Sequence, residues 1–226
     1  MTTAEGWTAA VRERLAPGRL LPLGAAGDGA WITERAARGV LGPAAAAVRG
    51  AVPGKLRVGP DPEDDGTTKA GPLPVPPGGL EARALRITAD FGAVAGRPLP
   101  ELAEELRAAL LGAARDGLGL RVTAVDLRVT ELLDAEPAAA PAAPPPGRPA
   151  PATDDPVALA VLRVEGVAGV TDLWGPPVHR GPDGVRVELA VTAGHRPLDV
   201  ARAARDAATS AADGATAVTV LVSELR

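Results

Sequence analysis

Polar and apolar residues alternate along Leu85-Arg86-Ile87-Thr88-Ala89-Asp90-Phe91, and again along Val185-Arg186-Val187-Glu188-Leu189-Ala190-Val191. A period of two marks a strand with one face in a core and the other in water. Leu85, Ile87, Ala89 and Phe91 share the inner face of the first strand; Arg86, Thr88 and Asp90 share the outer one. After a short turn, each stretch runs into an Arg-Pro-Leu segment, Arg97-Pro98-Leu99 or Arg196-Pro197-Leu198, that opens a helix. The first helix carries Leu99, Leu102, Leu106, Leu110 and Ala113 on one side. The second carries Ala201, Ala204, Ala208 and Ala211, so it can lie close against a sheet. Each copy closes on an alternating strand, Val125 to Leu132 and Val218 to Leu225, with the matching ends Thr130-Glu131-Leu132 and Ser223-Glu224-Leu225. The pattern is an internal duplication of a strand–helix–strand unit.

Trp7, Ala10, Val11 and Leu15 fall at helical spacing within residues 4–16, and Pro17-Gly18 ends that helix. Leu20 to Leu23 is extended, and Gly24 to Gly29 is a loop. Thr33 is an N-cap with Ile32 as its staple, opening a helix to about Arg49 with a kink or break at Gly42-Pro43. Lys55 to Val58 alternates as a strand. Residues 59–80 are a Pro/Gly/acidic insertion, with Asp61, Glu63, Asp64 and Asp65 solvated near its start. Asp154-Asp155-Pro156 caps a short helix ending near Glu165; Val167 to Trp174 is a strand; and the turn Gly181 to Gly184 makes a hairpin between Val178 and Val191.

Residues 135–153, almost all Ala and Pro, form a linker, because proline removes donors and holds the backbone extended. The chain therefore reads as an α+β protein of two tandem helix–strand–strand–helix–strand domains, each a three-stranded sheet with helices on one face. Residues 1–134 are the first domain, with the N-terminal helix and the acidic, Pro-rich loop; residues 154–226 are the second.

Composition narrows the chemistry. The chain has 226 residues, a net charge of −4 and no Cys. The charge argues against a bulk grip on nucleic acid or anionic lipid, and the missing Cys excludes disulfides, zinc–thiolate sites and thiol catalysis. Apart from Lys55 and Lys69 every basic residue is Arg, which with the Ala/Pro/Gly bias looks like a GC-rich bacterial genome. No run approaches the roughly 20 apolar residues of a membrane span, and Met1 to Trp7 lacks the basic start of a secretory signal. A cytoplasmic protein is expected.

Gly29-Ala30-Trp31-Ile32-Thr33 leading into a helix, Val164-Glu165-Gly166-Val167 leading into a strand, and the strand, Arg-Pro-Leu helix and closing strand together resemble the alkaline shock protein family, the Gls-type envelope stress response proteins. The likeness covers most of residues 20–134 and 155–225 and is nearest to actinobacterial proteins encoded beside family members. The long acidic loop and the duplication depart from it, since members usually carry one unit. The resemblance implies a non-catalytic scaffold for the cell envelope under stress, held at the membrane through a protein partner. That partner would be a membrane-anchored protein or a single-domain relative, and a homo-oligomer stays open.

The outward sheet faces supply the candidate interaction surface: Lys55, Arg57, Arg86, Asp90, Asp126 and Arg128 in the first domain, Arg186 and Glu188 in the second. Solvated side chains with cross-strand ion pairs are the plain reading; a docking surface for a partner, or for the other domain, is the functional one. The alternative is a nucleic-acid-binding module using the same Arg residues. The Gly-x-x-Gly stretch Gly166 to Gly169 reads as a turn before a strand, because its middle residues are apolar and no helix follows. His195, in the turn Gly194-His195-Arg196-Pro197, sits where an anion could bind a helix start, but the first copy has no counterpart. No nucleophile, base and oxyanion donor can be assembled and no cofactor or metal motif is present, so no enzymatic activity is expected.

Overall fold

Both alternating stretches form strands at the middle of sheets, as half-buried periodicity requires. The structure, a computed structural model, describes residues 19–64, 73–135, 137, 150–212 and 217–226. In chain order the elements are β1 (Leu20–Leu23), β2 (Ala30–Thr33), α1 (Glu34–Ala46), β3 (Ala51–Pro60), β4 (Leu85–Val94), α2 (Leu99–Gly112), β5 (Val122–Leu133), α3 (Pro156–Val161), β6 (Val167–Val170), β7 (Val178–Gly181), β8 (Gly184–Val191), α4 (Pro197–Ala211) and β9 (Val218–Leu225). The described residues thus form a mixed α+β protein with four α-helices and two sheets. The expected helix at 4–16, most of the linker and residues 65–72 of the acidic loop lie outside the described residues.

Each sheet contains a strand–helix–strand unit with its two strands paired in parallel. β4 and β5 are parallel and joined by α2, with β3 antiparallel on the other side of β4. β8 and β9 are parallel and joined by α4, with β6 and β7 antiparallel to β8. Parallel neighbours need a crossover, and the Leu-faced and Ala-faced helices supply it. Pro197 is the first residue of α4, while in α2 Pro98 is the cap and Pro100 stands in the first turn; a proline in the first turn gives up an N–H that has no partner there.

The two sheets are not equal. The first has three strands in the order β3-β4-β5. The second has six, β1-β2-β9-β8-β6 with β7 also on β8, instead of the three expected. β2 runs parallel to β9, with Ala30 opposite Val220 and Ile32 opposite Val222. Both faces of β1 and β2 are buried. These short apolar segments close the edge that β9 would otherwise leave unpaired. Residues 20–33, assigned from sequence to the first domain, therefore extend the sheet of the C-terminal half.

One apolar cluster runs through both units. It includes Phe91, Leu102, Leu106 and Leu110 from the first and Val187, Leu189, Ala204 and Ala208 from the second. α1 packs on β3, α2 and β9 and so touches both sheets. It is one helix through Pro43, without the expected break. Pro43 deprives the Gly39 carbonyl of its helical donor, and Gly39 is exposed, so that carbonyl is open to water. The strand expected from Val167 to Trp174 ends at Val170, and α3 ends at Val161, before Glu165.

Thr33 ties α1 to the second sheet. Its Oγ1 accepts from the Ala36 N–H at 3.1 Å as the N-cap and donates to the Ser223 carbonyl on β9 at 2.8 Å. Thr33→Ala is expected to cost about 1–2 kcal/mol, because it removes a cap and leaves a buried carbonyl without its donor. Thr33→Ser should recover most of the loss, and urea denaturation followed by circular dichroism measures both.

Candidate interaction face

The outer face of the first sheet is set by register. Arg57, Thr88 and Asp126 lie in one row across β3, β4 and β5; Asp90 and Arg128 lie in the next. Arg57, Thr88, Asp126 and Arg128 are exposed, and Lys55 stands exposed in a bulge of β3 between Pro53 and Leu56. Beneath this face Leu85, Ile87, Ala89 and Phe91 are buried, so the polar side cannot turn inward.

Arg86 is the exception within the row of expected solvated charges. Its guanidinium meets Asp61 at 2.9 Å, Glu63 at 3.0 Å and Asp126 at 3.0 Å. Asp61 also accepts from the Thr123 hydroxyl at 2.6 Å and from the Glu63 N–H at 3.0 Å. The Thr123 hydroxyl first, then the Glu63 N–H and Arg86, hold its carboxyl below the usual aspartate range. The hydrogen bonds from Arg86 to Asp126, Glu63 and Asp61 hold its guanidinium firmly protonated. The expectation that Asp61 is solvated is corrected here: it is 5% exposed. An arginine on the outward face of β4 reaches the start of the acidic loop and folds Asp61 onto the sheet edge. Asp64 is engaged as well, its carboxylate accepting from the Ala84 N–H at 2.6 Å.

Arg57 stands 3.8 Å from Glu34, which is buried and lies within 3.4 Å of the Val58 N–H. That contact draws Arg57 toward α1. Asp90 and Arg128 face each other in register, but neither makes an ion pair among the described residues.

The second sheet does not repeat this arrangement. Glu188 points outward from β8, as alternation requires, yet it is 2% exposed. The segment after β6 lies over it. Its carboxylate accepts from the Thr171 hydroxyl and the Leu173 N–H, each at 2.8 Å, and from the Trp174 N–H at 2.9 Å. Thr171 in turn lies 2.6 Å from the Ser223 hydroxyl. Burial pushes the Glu188 carboxyl above the usual glutamate range, and these hydrogen bonds hold the rise down. Beside it, Leu20, Trp31, Leu221 and Trp174 form a small apolar cluster, with Trp31 Nε1 donating to the Leu80 carbonyl at 3.0 Å. Arg186 is half-buried, and its guanidinium lies 3.5 Å from the Trp174 carbonyl. Arg186 and Glu188 therefore do not join Arg57, Arg86, Asp90, Asp126 and Arg128 on one open surface.

The described residues also form shallow clefts. One of about 120 Å³ lies between Pro74–Pro77 and the β7–β8 hairpin and includes His179; another is an open groove at Glu165, His195, Arg196 and Asp199. Among the described residues neither histidine ring makes a hydrogen bond, and no group of His, Asp and Glu could hold a metal ion. No helix among them is long and apolar enough to cross a membrane. Comparison with protein-family models, with curated proteins and with solved structures finds no match for this chain.

Proposed function

We propose that the chain is a non-catalytic scaffold that works through protein–protein contacts, built of two tandem alkaline-shock-like units and acting in bacterial envelope stress or membrane homeostasis. One observation carries the interaction reading. Of the two equivalent outer sheet faces, the chain covers the second with its own Thr171–Pro177 segment and leaves the first exposed at Arg57, Thr88, Asp126 and Arg128. A flat face of interspersed charges suits a partner with complementary charges and gives specificity and association rate more than raw affinity. The envelope setting rests on the family resemblance, and the partner it implies is a membrane-anchored protein or a single-domain relative. Asp90 and Asp126 on the same face oppose a phosphate backbone and weigh against nucleic-acid binding.

The test is cross-linking in the native host under envelope stress, with membrane and soluble fractions analysed apart. A tagged wild-type chain is expected to retain an envelope-associated partner. Thr88→Arg/Asp90→Arg, which makes the centre of the face uniformly basic, should lower that recovery roughly tenfold or more. Equal recovery by the variant, or no envelope-associated partner under any stress, would sink the reading.

A further inference from the structure

The three-stranded sheet treats its two edges differently. The β3 edge carries Pro53 and Pro60, a bulge between Pro53 and Leu56, and exposed Lys55. Prolines, bulges and lysines are the devices that keep an edge strand from pairing with another chain. β5 has neither proline nor lysine: its twelve residues contain no Pro, Gly or Lys, Val122, Thr123, Val125, Val129 and Thr130 are β-branched, and its two bulges, at Thr123 and Thr130, leave Ala124 to Val129 in regular register between them. Val129 is 40% exposed and Leu132 is 73% exposed.

The second unit shows what such an edge takes. β9 is the counterpart of β5, and its far side is filled by β2, then β1. β1 is covered in turn, since the Leu20 N–H donates to the Gly78 carbonyl and the Leu80 N–H to that of Leu20. On β5, one side chain reaches over the edge among the described residues: Arg107 Nε lies 3.4 Å from the Val125 carbonyl. Val125 thus turns its backbone away from β4, and by strand alternation Leu127 and Val129 do the same.

We propose that β5 pairs antiparallel with β5 of a second copy of this chain, about a two-fold axis at Leu127. The strand is self-complementary about that residue. Asp126 falls opposite Arg128 of the second copy and Arg128 opposite its Asp126; Val125 and Val129 meet in the same way, and Leu127 meets itself. Leu127 becomes a hydrogen-bonded pair, and the Asp–Arg pairs take the closer non-hydrogen-bonded positions. Arg128, which has no ion pair within the chain among the described residues, gains one. A parallel pairing would set Asp126 against Asp126, and it could not close as a two-fold interface. The two three-stranded sheets become one of six, and their open faces become continuous. This goes beyond the scaffold reading, which a monomeric chain would leave standing.

The chain has no Cys, which makes the test direct. Residues paired across the axis sit about 5.5 Å apart at Cα, within disulfide range. Leu127→Cys is expected to give a disulfide-linked dimer under mild oxidation, and Thr88→Cys on the middle strand is not. Wild type should sediment as a monomer–dimer equilibrium. Arg128→Glu, an exposed change that should leave the circular dichroism unaltered, should weaken the dimer roughly tenfold or more by placing like charges together. A wild-type chain that stays monomeric at all concentrations overturns the proposal. So does a dimer whose dissociation constant ignores Arg128→Glu, or a Leu127→Cys chain that cross-links no faster than Thr88→Cys.

Discussion

Glu188→Ala is expected to destabilise the protein by about 3–5 kcal/mol, measured as a fall in the urea midpoint with an unchanged slope. The substitution removes the acceptor for the half-buried Leu173 and Trp174 N–H groups and for the buried Thr171 hydroxyl. Each donor then bears its own desolvation cost. The segment they hold is the cover over Trp31 and Leu221, so the damage spreads into that cluster. Glu188→Gln should cost less, about 1–3 kcal/mol, since its carbonyl can serve two of the donors while its amide opposes the third. The pair also separates charge from shape. Burial raises the Glu188 carboxyl in the folded protein above its unfolded value of 4.5. Below 4.5 both states are protonated and the folded state bears no ionic penalty. As pH rises, the unfolded chain ionises first, so this contribution to stability falls until pH passes the raised folded value. Wild type should therefore lose stability relative to Glu188→Gln across that window. A constant difference between them would show that Glu188 titrates normally.

The same residue marks how far the sequence could be read. Alternation put Glu188 on the outward side of β8, and it lies there. What lies over that side is a tertiary matter: Thr171 to Trp174 looked like the end of a strand, with no local signal that its N–H groups would turn to a carboxylate. Trp174 was the hint, a large apolar side chain at the end of that stretch. Asp61 failed for the opposite reason. Composition marks Pro/Asp/Glu runs as solvated, but Arg86 and Thr123 project from neighbouring strands and both reach Asp61, and Arg86 takes Glu63 as well. The β4–α2–β5 and β8–α4–β9 units were legible because their periods change from two to helical and back within one short stretch. β1 was legible as an extended piece only, and β2 only as the lead-in to a helix. Each has four residues, with both faces buried and no alternation to orient it, and the partner of β2 lies at the far end of the chain.

Where the two units meet, Gly119→Val is expected to cost about 3–4 kcal/mol and to lower the melting temperature by roughly 10 °C. Gly119 follows the last turn after α2 with φ +90°, a left-handed conformation in which a β-branched residue is strained. Its N–H caps that turn through the Ala114 and Arg115 carbonyls, and its own carbonyl accepts from the Gly24 N–H at 2.9 Å. Space is the second constraint: a Cβ there would fall within 2.4 Å of the Cβ of Leu198, at the start of α4. Leu198 is buried, and its Cβ belongs to a helix whose Arg196 guanidinium already donates to the Arg115 carbonyl at 2.9 Å. Rotating the Leu198 side chain relieves nothing, so α4 or the turn must move, and either motion separates the units. Gly112, seven residues earlier and helical, has open space where its Cβ would stand. Gly112→Ala should therefore stabilise the chain by about 0.5–1 kcal/mol. Thermal melts of both variants decide whether the contact between the units carries stability. If Gly119→Val melts with wild type, the junction at Leu198 carries none of it.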